Sequence, residues 1–323
     1  MSPVLVIVTQ PGESGLSSAD GEALGAGRGL ASEVGTPLVC AVIGSGVDAA
    51  ATEAAERGAD RVLVADAPHL DRFSGDAVVA AAATAVAECD ADTVIVSRRP
   101  NTLDIVPRLG ARLGGGAVIG VTEFRTTGAE MQVVASAYGG SARATYRLSD
   151  AGPKVVSGAP KFADAPEREA GRAAEVAQLA VDAPAQDRVR VVQAAEQSGP
   201  RLEEARVVVS GGRGIQDGDN YTLIRDLADV LGGMPGASRA IVDTAWAAAE
   251  QQVGMTGKIV SPDLYIAAGI SGASQHMMGC STARVLVAIN SDAGAPIFQY
   301  ADFGIVDDCL EVLPELIRLR RGA

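Results

Sequence analysis

The chain has 323 residues, with 27 Lys and Arg against 40 Asp and Glu, a formal net charge of −13, and 47% hydrophobic residues. At ~150 residues per domain this length predicts about two domains, each large enough for its own core, and the apolar content excludes a disordered chain. The acidic balance, with no Lys/Arg block, excludes nucleic acid and anionic membrane surfaces as partners.

Residues 4–8, 38–43, 61–64 and 93–96 are short runs, apolar on both faces, as expected of strands buried inside a parallel sheet. Between them, 21–34, 48–57, 76–89 and 102–113 have the Ala-rich texture of helices. This alternation predicts right-handed crossovers and helices on both sides of the sheet. From 117 the texture changes. Residues 118–124, 131–137, 142–147 and 154–157 read as strands joined by Gly, Ser and Asp turns, predicted to form an antiparallel extension. Residues 162–185, rich in Ala, Glu, Asp, Arg and Pro, are expected to hold a solvated helix and a loop. A further strand is expected at 188–193, and Ser198-Gly-Pro-Arg201 reads as a boundary. Nothing repeats at a 20–50 residue period.

The second half starts again with a buried strand at 206–209 and the turn Ser210-Gly-Gly-Arg-Gly214. A helix at 220–231, strands at 264–267, 285–289 and 296–298, and a closing helix from about 307 to 320 complete a second, smaller unit. The expected fold is therefore α/β, with two doubly wound parallel-sheet domains spanning 1–196 and 197–323. The longest apolar run, 77–87, is too short for a membrane span. Met1-Ser-Pro leads straight into the first strand with no basic segment, so a cytoplasmic protein is expected. Cys40, Cys89, Cys280 and Cys309 show no metal-binding spacing and fit reduced thiols. His69 and His276 are the only histidines, which leaves little room for a His-rich metal site or a Ser-His-Asp triad.

Four segments of the second half could carry chemistry. Val209-Ser-Gly-Gly-Arg-Gly-Ile215 leaves a buried strand; its glycines let backbone N–H groups approach a phosphate and Arg213 supplies charge, but a simple tight turn explains it equally. It lacks both the Walker A ending and the GxGxxG spacing. In Gly236-Ala-Ser-Arg-Ala-Ile-Val-Asp243, Arg239 either meets a cleft or pairs with Asp243. Gln252-Val-Gly-Met-Thr-Gly-Lys258 is a turn that can present Thr256 to a ligand. Most informative is 264–279, where a buried strand runs into Gly-Ile-Ser-Gly and a helix is expected to open near Ala273. Ser271, Gly272 and Ala273 would then offer N–H groups at its positive end, with Gln275 and His276 in the first turn. Asn290 ends the next strand, at the carboxyl edge where open sheets bind ligands.

Together these blocks resemble the FAD-binding domain of the electron-transfer flavoprotein α subunit. The resemblance rests on Val-Val-Ser-Gly-Gly-Arg-Gly (208–214), Gly-Ala-Ser-Arg-Ala (236–240), Val-Gly-x-Thr-Gly-Lys (253–258), Leu-Tyr-Ile-Ala-x-Gly-Ile-Ser-Gly-Ala-x-Gln-His (264–276), Val-Ala-Ile-Asn (287–290) and Ala-Pro-Ile-Phe-Gln-x-Ala-Asp-x-Gly-Ile-Val-x-Asp (295–308), in that order. The first half resembles the family's N-terminal domain more loosely, through strand order and Pro107-Arg108. The resemblance implies an FAD-binding C-terminal domain, an N-terminal domain of nucleotide-binding-like fold that contacts a β subunit, and a heterodimer whose β subunit carries AMP. It implies an electron carrier passing single electrons from acyl-CoA dehydrogenases and related flavoenzymes to a membrane quinone oxidoreductase. By motif, the FAD contacts would be Arg213, Ser238, Arg239, Val253, Gly254, Met255, Thr256, Ser271, Gly272, Ala273, Ser274, Gln275, His276, Asn290 and Asp308. Among them Arg239 would lie over the isoalloxazine, Thr256 would face flavin N5 and His276 the O2 side, while Asn290 and Asp308 would serve the adenosine end. Cationic and donor groups so placed stabilise a flavin that has gained an electron, and no acid–base or nucleophilic apparatus is needed.

Two positions and one segment depart from the family pattern. Met255 stands where Gln is usual, Ser274 replaces Ile or Val, and Thr244-Ala-Trp-Ala-Ala-Ala-Glu250 differs from the common Gly/Pro-containing loop. Without the motif blocks, the alternative is a nucleotide-binding regulatory α/β protein with no redox role. An NAD-dependent enzyme is disfavoured by the absent GxGxxG.

Overall fold

In the computed structural model of the chain, residues 2–11, 15–127, 130–138, 142–148, 151–183 and 201–322 are described. They fall into two compact units, Met1–Ser136 with Arg143–Glu196, and Ala137–Ala142 with Gln197–Ala323. The strand expected at 188–193 and the boundary expected at 198–201, apart from Arg201, lie outside the described residues.

The first unit runs β1 (Val4–Thr9), α1 (Ser18–Val34), β2 (Leu38–Gly44), α2 (Asp48–Glu56), β3 (Arg61–Asp66), α3 (Gly75–Cys89), β4 (Thr93–Val96), α4 (Thr102–Arg112), β5 (Ala117–Thr127), β6 (Glu130–Ala137), β7 (Ala142–Arg147), β8 (Lys154–Gly158) and β9 (Glu175–Gln178). Its nine strands are ordered β7-β6-β5-β8-β4-β1-β2-β3-β9. Alternate residues of the central strands feed two cores, which is why these strands are apolar on both faces. Val4, Val6 and Val8 pack with Leu24, Leu30 and Ala54 from α1 and α2, whereas Leu5 and Ile7 pack with Val78, Ala82 and Ile105 from α3 and α4. Helices therefore cover both faces, as doubly wound folds require. A reciprocal capping box between Ser17 and Asp20 starts α1, and Gly35 in the left-handed region ends it.

Two expectations for this unit are corrected. The extension is only partly antiparallel: β5 and β6 pair antiparallel, but β8 pairs parallel with both β4 and β5. Among the described residues of 162–185 there is no helix. Asp164-Ala-Pro166 runs extended against α1, with the Pro166 carbonyl accepting from Arg57, and the chain then adds β9 parallel to β3. The ion pairs Arg168–Glu56 and Arg172–Asp60 pin this strap, and a turn closed by Arg172 N–H donating to the Glu169 carbonyl leads it into β9.

The second unit runs β10 (Val207–Gly211), α5 (Tyr221–Val230), β11 (Met234–Ala237), α6 (Arg239–Val242), β12 (Leu264–Ala268), α7 (Ser274–Met277), β13 (Leu286–Ile289), β14 (Phe303–Ile305) and α8 (Cys309–Arg321). The order is β11-β10-β12-β13-β14, with every pairing parallel. One face packs on α5 and α8 through Val209, Ile266, Leu227 and Leu313. The other face, carrying Val208, Tyr265 and Ala267, is covered by Val253, Val260, Met277 and Ile297 from loops and α7. The strand expected at 296–298 is instead a 3-10 turn, Pro296–Gln299, opened by a proline at its first position. Strand order reverses between β10 and β12, and in open α/β sheets that switch point makes a crevice at the carboxyl ends of the strands. No helix of the described residues is long and apolar enough to cross a membrane, and among them no group of three or more His, Cys, Asp or Glu could hold a metal ion.

Candidate functional site

The loops leaving β10 and β12 touch closely. A Cβ on Gly212 would lie 2.3 Å from the Gly269 carbonyl, and one on Gly214 would lie 2.6 Å from Gly269 Cα. Glycine is required there so that the two loop backbones can pack together. This packing accounts for the Gly-rich turn and brings Arg213 beside the end of β12. The β11–α6 junction contributes Ser238 and Arg239, and the 252–256 loop joins through Val253 N–H, which donates to the Ala237 carbonyl at 2.8 Å.

These segments enclose a cleft of about 750 Å³, within the usual size of a small-molecule or cofactor site. Its walls bring together Arg213, Ser238, Arg239, Val253, Gly254, Met255, Thr256, Ser271, Ala273, Gln275 and His276. Ala240, Gln252, Gly269 and Ile270 also line it and were not singled out from the sequence. Gln252 is informative: its Nε2 donates to Thr256 Oγ1 at 2.9 Å, so the Thr256 hydroxyl hydrogen is left to donate elsewhere. A Gln four residues before a motif Thr was the available signal.

Four expected residues lie off the cleft wall. Gly272 is buried at φ +85°, where a Cβ would meet Ile297 N at 2.3 Å, so its role here is a close backbone crossing. Ser274 is exposed at the start of α7. Asn290 donates to the Ile270 carbonyl at 2.9 Å and accepts from Asp292 N–H at 2.9 Å. Asp308 caps α8 by accepting from Leu310 N–H at 2.9 Å, and also accepts from Gln216 at 3.2 Å. The helix expected from Ala273 is a single turn, so any anion attraction there comes from individual N–H groups, with little macrodipole behind them.

The electrostatics are cationic and donor-rich. Arg213 and Arg239 are exposed at the wall, and the Ser238, Thr256 and Ser271 hydroxyls add donors. His276 differs, being only 7% exposed, with Nε2 2.9 Å from the Tyr265 hydroxyl and Nδ1 without a hydrogen-bond partner. Burial pushes its pKa down to about 4, against a smaller opposing effect of the Val253 carbonyl. Gly254, at φ +140°, lies where a Cβ would meet the Gln275 carbonyl at 2.9 Å, which keeps the 254 loop pressed on α7. Two guanidinium groups and several hydroxyls suit a ligand with a diphosphate and an acceptor-rich ring. FAD has both, and the residues present fit it.

Comparison with known proteins bears on the same point. Residues 4–184 match the family model described as the electron transfer flavoprotein domain, and residues 201–281 match the one described as the electron transfer flavoprotein FAD-binding domain. The chain is similar to the electron transfer flavoprotein subunit alpha of Mycobacterium leprae, 37% identical over 332 aligned positions and covering 100% of both chains. It is also similar to that of Thermoanaerobacterium thermosaccharolyticum, 37% identical over 301 residues, 92% of this chain and 91% of the relative. A mitochondrial subunit alpha from Dictyostelium discoideum is 56% identical over 117 residues, 36% of this chain and 33% of its own.

Proposed function

The chain belongs to the electron transfer flavoprotein α-subunit family, with FAD as its cofactor, and on that premise we propose that it is the α subunit of an αβ electron carrier. In this reading the second unit holds FAD in the cleft between the ends of β10 and β12, and the first unit contributes to the contact with a β subunit that carries AMP. FAD supplies reversible one-electron transfer when bound. The chain's residues would supply position and field: Arg239 would lie against the ring, Thr256 would donate its hydroxyl hydrogen, and Arg213 with backbone N–H groups would neutralise phosphate. The donors are flavoprotein dehydrogenases of the acyl-CoA type and the acceptor is a membrane quinone oxidoreductase.

The observation that carries this reading is the cleft itself, where the switch point of an all-parallel sheet is lined by two guanidinium groups and the residues of four separate motif blocks. Co-expression with the cognate β subunit should give a yellow 1:1 complex that accepts electrons from an acyl-CoA dehydrogenase. A stable, colourless homodimer that binds only AMP or ATP would overturn it in favour of a regulatory nucleotide-binding protein.

A further inference from the structure

The motif block at 253–258 ends in a lysine that the proposed function does not use. Lys258 does not line the cleft, although Val253, Gly254, Met255 and Thr256 before it all do. Its Nζ instead donates to Glu203 Oε1 at 2.9 Å, with the two side chains 33% and 28% exposed. Glu203 lies in the 3-10 turn Leu202–Glu204 that leads into β10. The neighbouring Leu202 is buried in the core with Val253, Val260 and Tyr265, so this turn is anchored.

The loop that Lys258 closes has little slack. Lys258 N–H donates to the Gln252 carbonyl at 2.7 Å and Gly254 N–H to the Lys258 carbonyl at 3.1 Å, so residues 252–258 form a closed ring. A Cβ on Gly257 would lie 2.3 Å from the Gln252 carbonyl oxygen, and one on Gly279 would lie 2.3 Å from Gly254 N. Beside the cleft the ring is held by Val253 N–H donating to the Ala237 carbonyl and Met255 N–H to the Gln275 carbonyl. At its stem it is held by the ion pair to Glu203. In so closely packed a ring, a shift at residue 258 passes to Gln252, whose Nε2 donates to the Thr256 hydroxyl.

We propose that Lys258 and Glu203 are positioning residues for the flavin site: their ion pair braces the 252–258 loop against the turn before β10, and so fixes the wall that Val253 to Thr256 present to FAD. The inference rests on the FAD reading and adds to it a support outside the cleft. Because the two charges cancel, the pair contributes position without adding to the cationic field of Arg213 and Arg239. Loss of either partner therefore loosens the loop in the same sense. An effect through the field would instead change sign between removal of the cation and removal of the anion.

The test uses the αβ complex with Lys258→Met, Glu203→Gln and the exchanged pair Glu203→Lys/Lys258→Glu. A half-exposed pair is worth about two- to fivefold in an equilibrium, so each single variant should release FAD about two- to fivefold faster than wild type. Deuterium uptake by peptides spanning 252–258 should rise in both, and the exchanged pair should return both readouts toward wild type. If the single variants lower the thermal midpoint but leave FAD release and uptake at 252–258 unchanged, the pair only stabilises the surface and the inference is overturned. Opposite shifts of FAD release in the two single variants overturn it as well, since they report a field. Fast exchange across 252–258 in the wild-type complex overturns it whatever the variants do. A wild-type complex that is colourless overturns the FAD reading, and the inference falls with it.

Discussion

Arg239 Nε donates to the Asp243 carboxylate at 3.3 Å, one turn further along α6, and the two side chains are 67% and 63% exposed. An exposed pair at this spacing holds its partners by only about 0.3–0.5 kcal/mol, so the ion pair is a resting place from which the guanidinium can turn to the cleft. Adding an electron to a flavin adds negative charge. At ~4 Å and an effective dielectric of ~20, the attraction of a guanidinium for that charge is about 4 kcal/mol before solvent screening. Even a quarter of that moves a one-electron potential by tens of millivolts, at ~59 mV per tenfold change. Arg239→Ala should lower the midpoint potential accordingly while FAD stays bound, and Asp243→Ala should not. Potentiometric titration of the three complexes checks this. Equal potentials would leave Arg239 as a surface ion pair only.

Gln252 and Thr256 make a second linked pair. Because Gln252 Nε2 occupies a lone pair of the Thr256 oxygen, the hydroxyl hydrogen is aimed away from Gln252. Thr256→Val should lower the potential by removing the donor, and Gln252→Ala should give a smaller shift in the same direction by letting the hydroxyl rotate. If Gln252→Ala matches wild type while Thr256→Val does not, another group orients the hydroxyl.

Met255 is 54% exposed at the rim of the cleft, with its N–H donating to the Gln275 carbonyl at 2.7 Å. A thioether is a poor hydrogen-bond partner beside an amide. Met255→Gln should therefore change the flavin potential and absorption bands without loss of FAD, and unchanged bands would show that this side chain points away from the ring.

How much of this was legible in the sequence depended on where the signal resides. The central strands of the first unit showed plainly, because Leu5, Ile7, Val39 and Ala41 on one face and Val4, Val6, Val8 and Cys40 on the other are all apolar. Strand β11 did not, since Pro235 and Gly236 suit a strand only at a sheet edge, which is where it lies. Strand β14 is three residues long and contains a glycine, too short for any periodicity. The cleft was legible through motif residues of distinctive chemistry such as Arg213 and Thr256. Ile270 and Ala240 were not, because they line it by position alone. The Tyr265–His276 pair was invisible for another reason: eleven residues separate them, and only the turn through Gly269 and Gly272 folds α7 back over β12.

In the first unit, Asp20 is fully buried and accepts from Ser17 N–H at 2.8 Å, Ser97 Oγ at 2.5 Å and Arg99 at 2.6 Å. Breaking a buried pair by removing one partner strands the other charge, at a typical cost of about 3–5 kcal/mol. Asp20→Ala should therefore destabilise strongly in urea unfolding. The double variant Asp20→Ala/Arg99→Ala should cost less than the sum of the single variants, because it leaves no stranded guanidinium. Strict additivity would mean that Asp20 acts only as the cap of α1.

The depressed pKa of His276 couples the stability of the fold to pH. In the unfolded chain the imidazole protonates near ~6.5, whereas in the folded protein it does so only near about 4. Above ~6.5 both states are neutral and the full stability is present. As pH falls below that, the unfolded state binds a proton the folded state refuses, so stability declines until the folded imidazole also protonates near 4. At ~1.4 kcal/mol per pH unit this amounts to roughly 3.5 kcal/mol across the window. Carboxylates also titrate toward its lower end, so the useful quantity is the difference between wild type and His276→Asn, which shares every other group, His69 included. Urea unfolding followed by the near-ultraviolet signal should show wild type losing stability between pH 6.5 and 5, with a visibly shallower slope for His276→Asn. Parallel slopes over that range would mean that the folded protein protonates His276 as readily as the unfolded chain does.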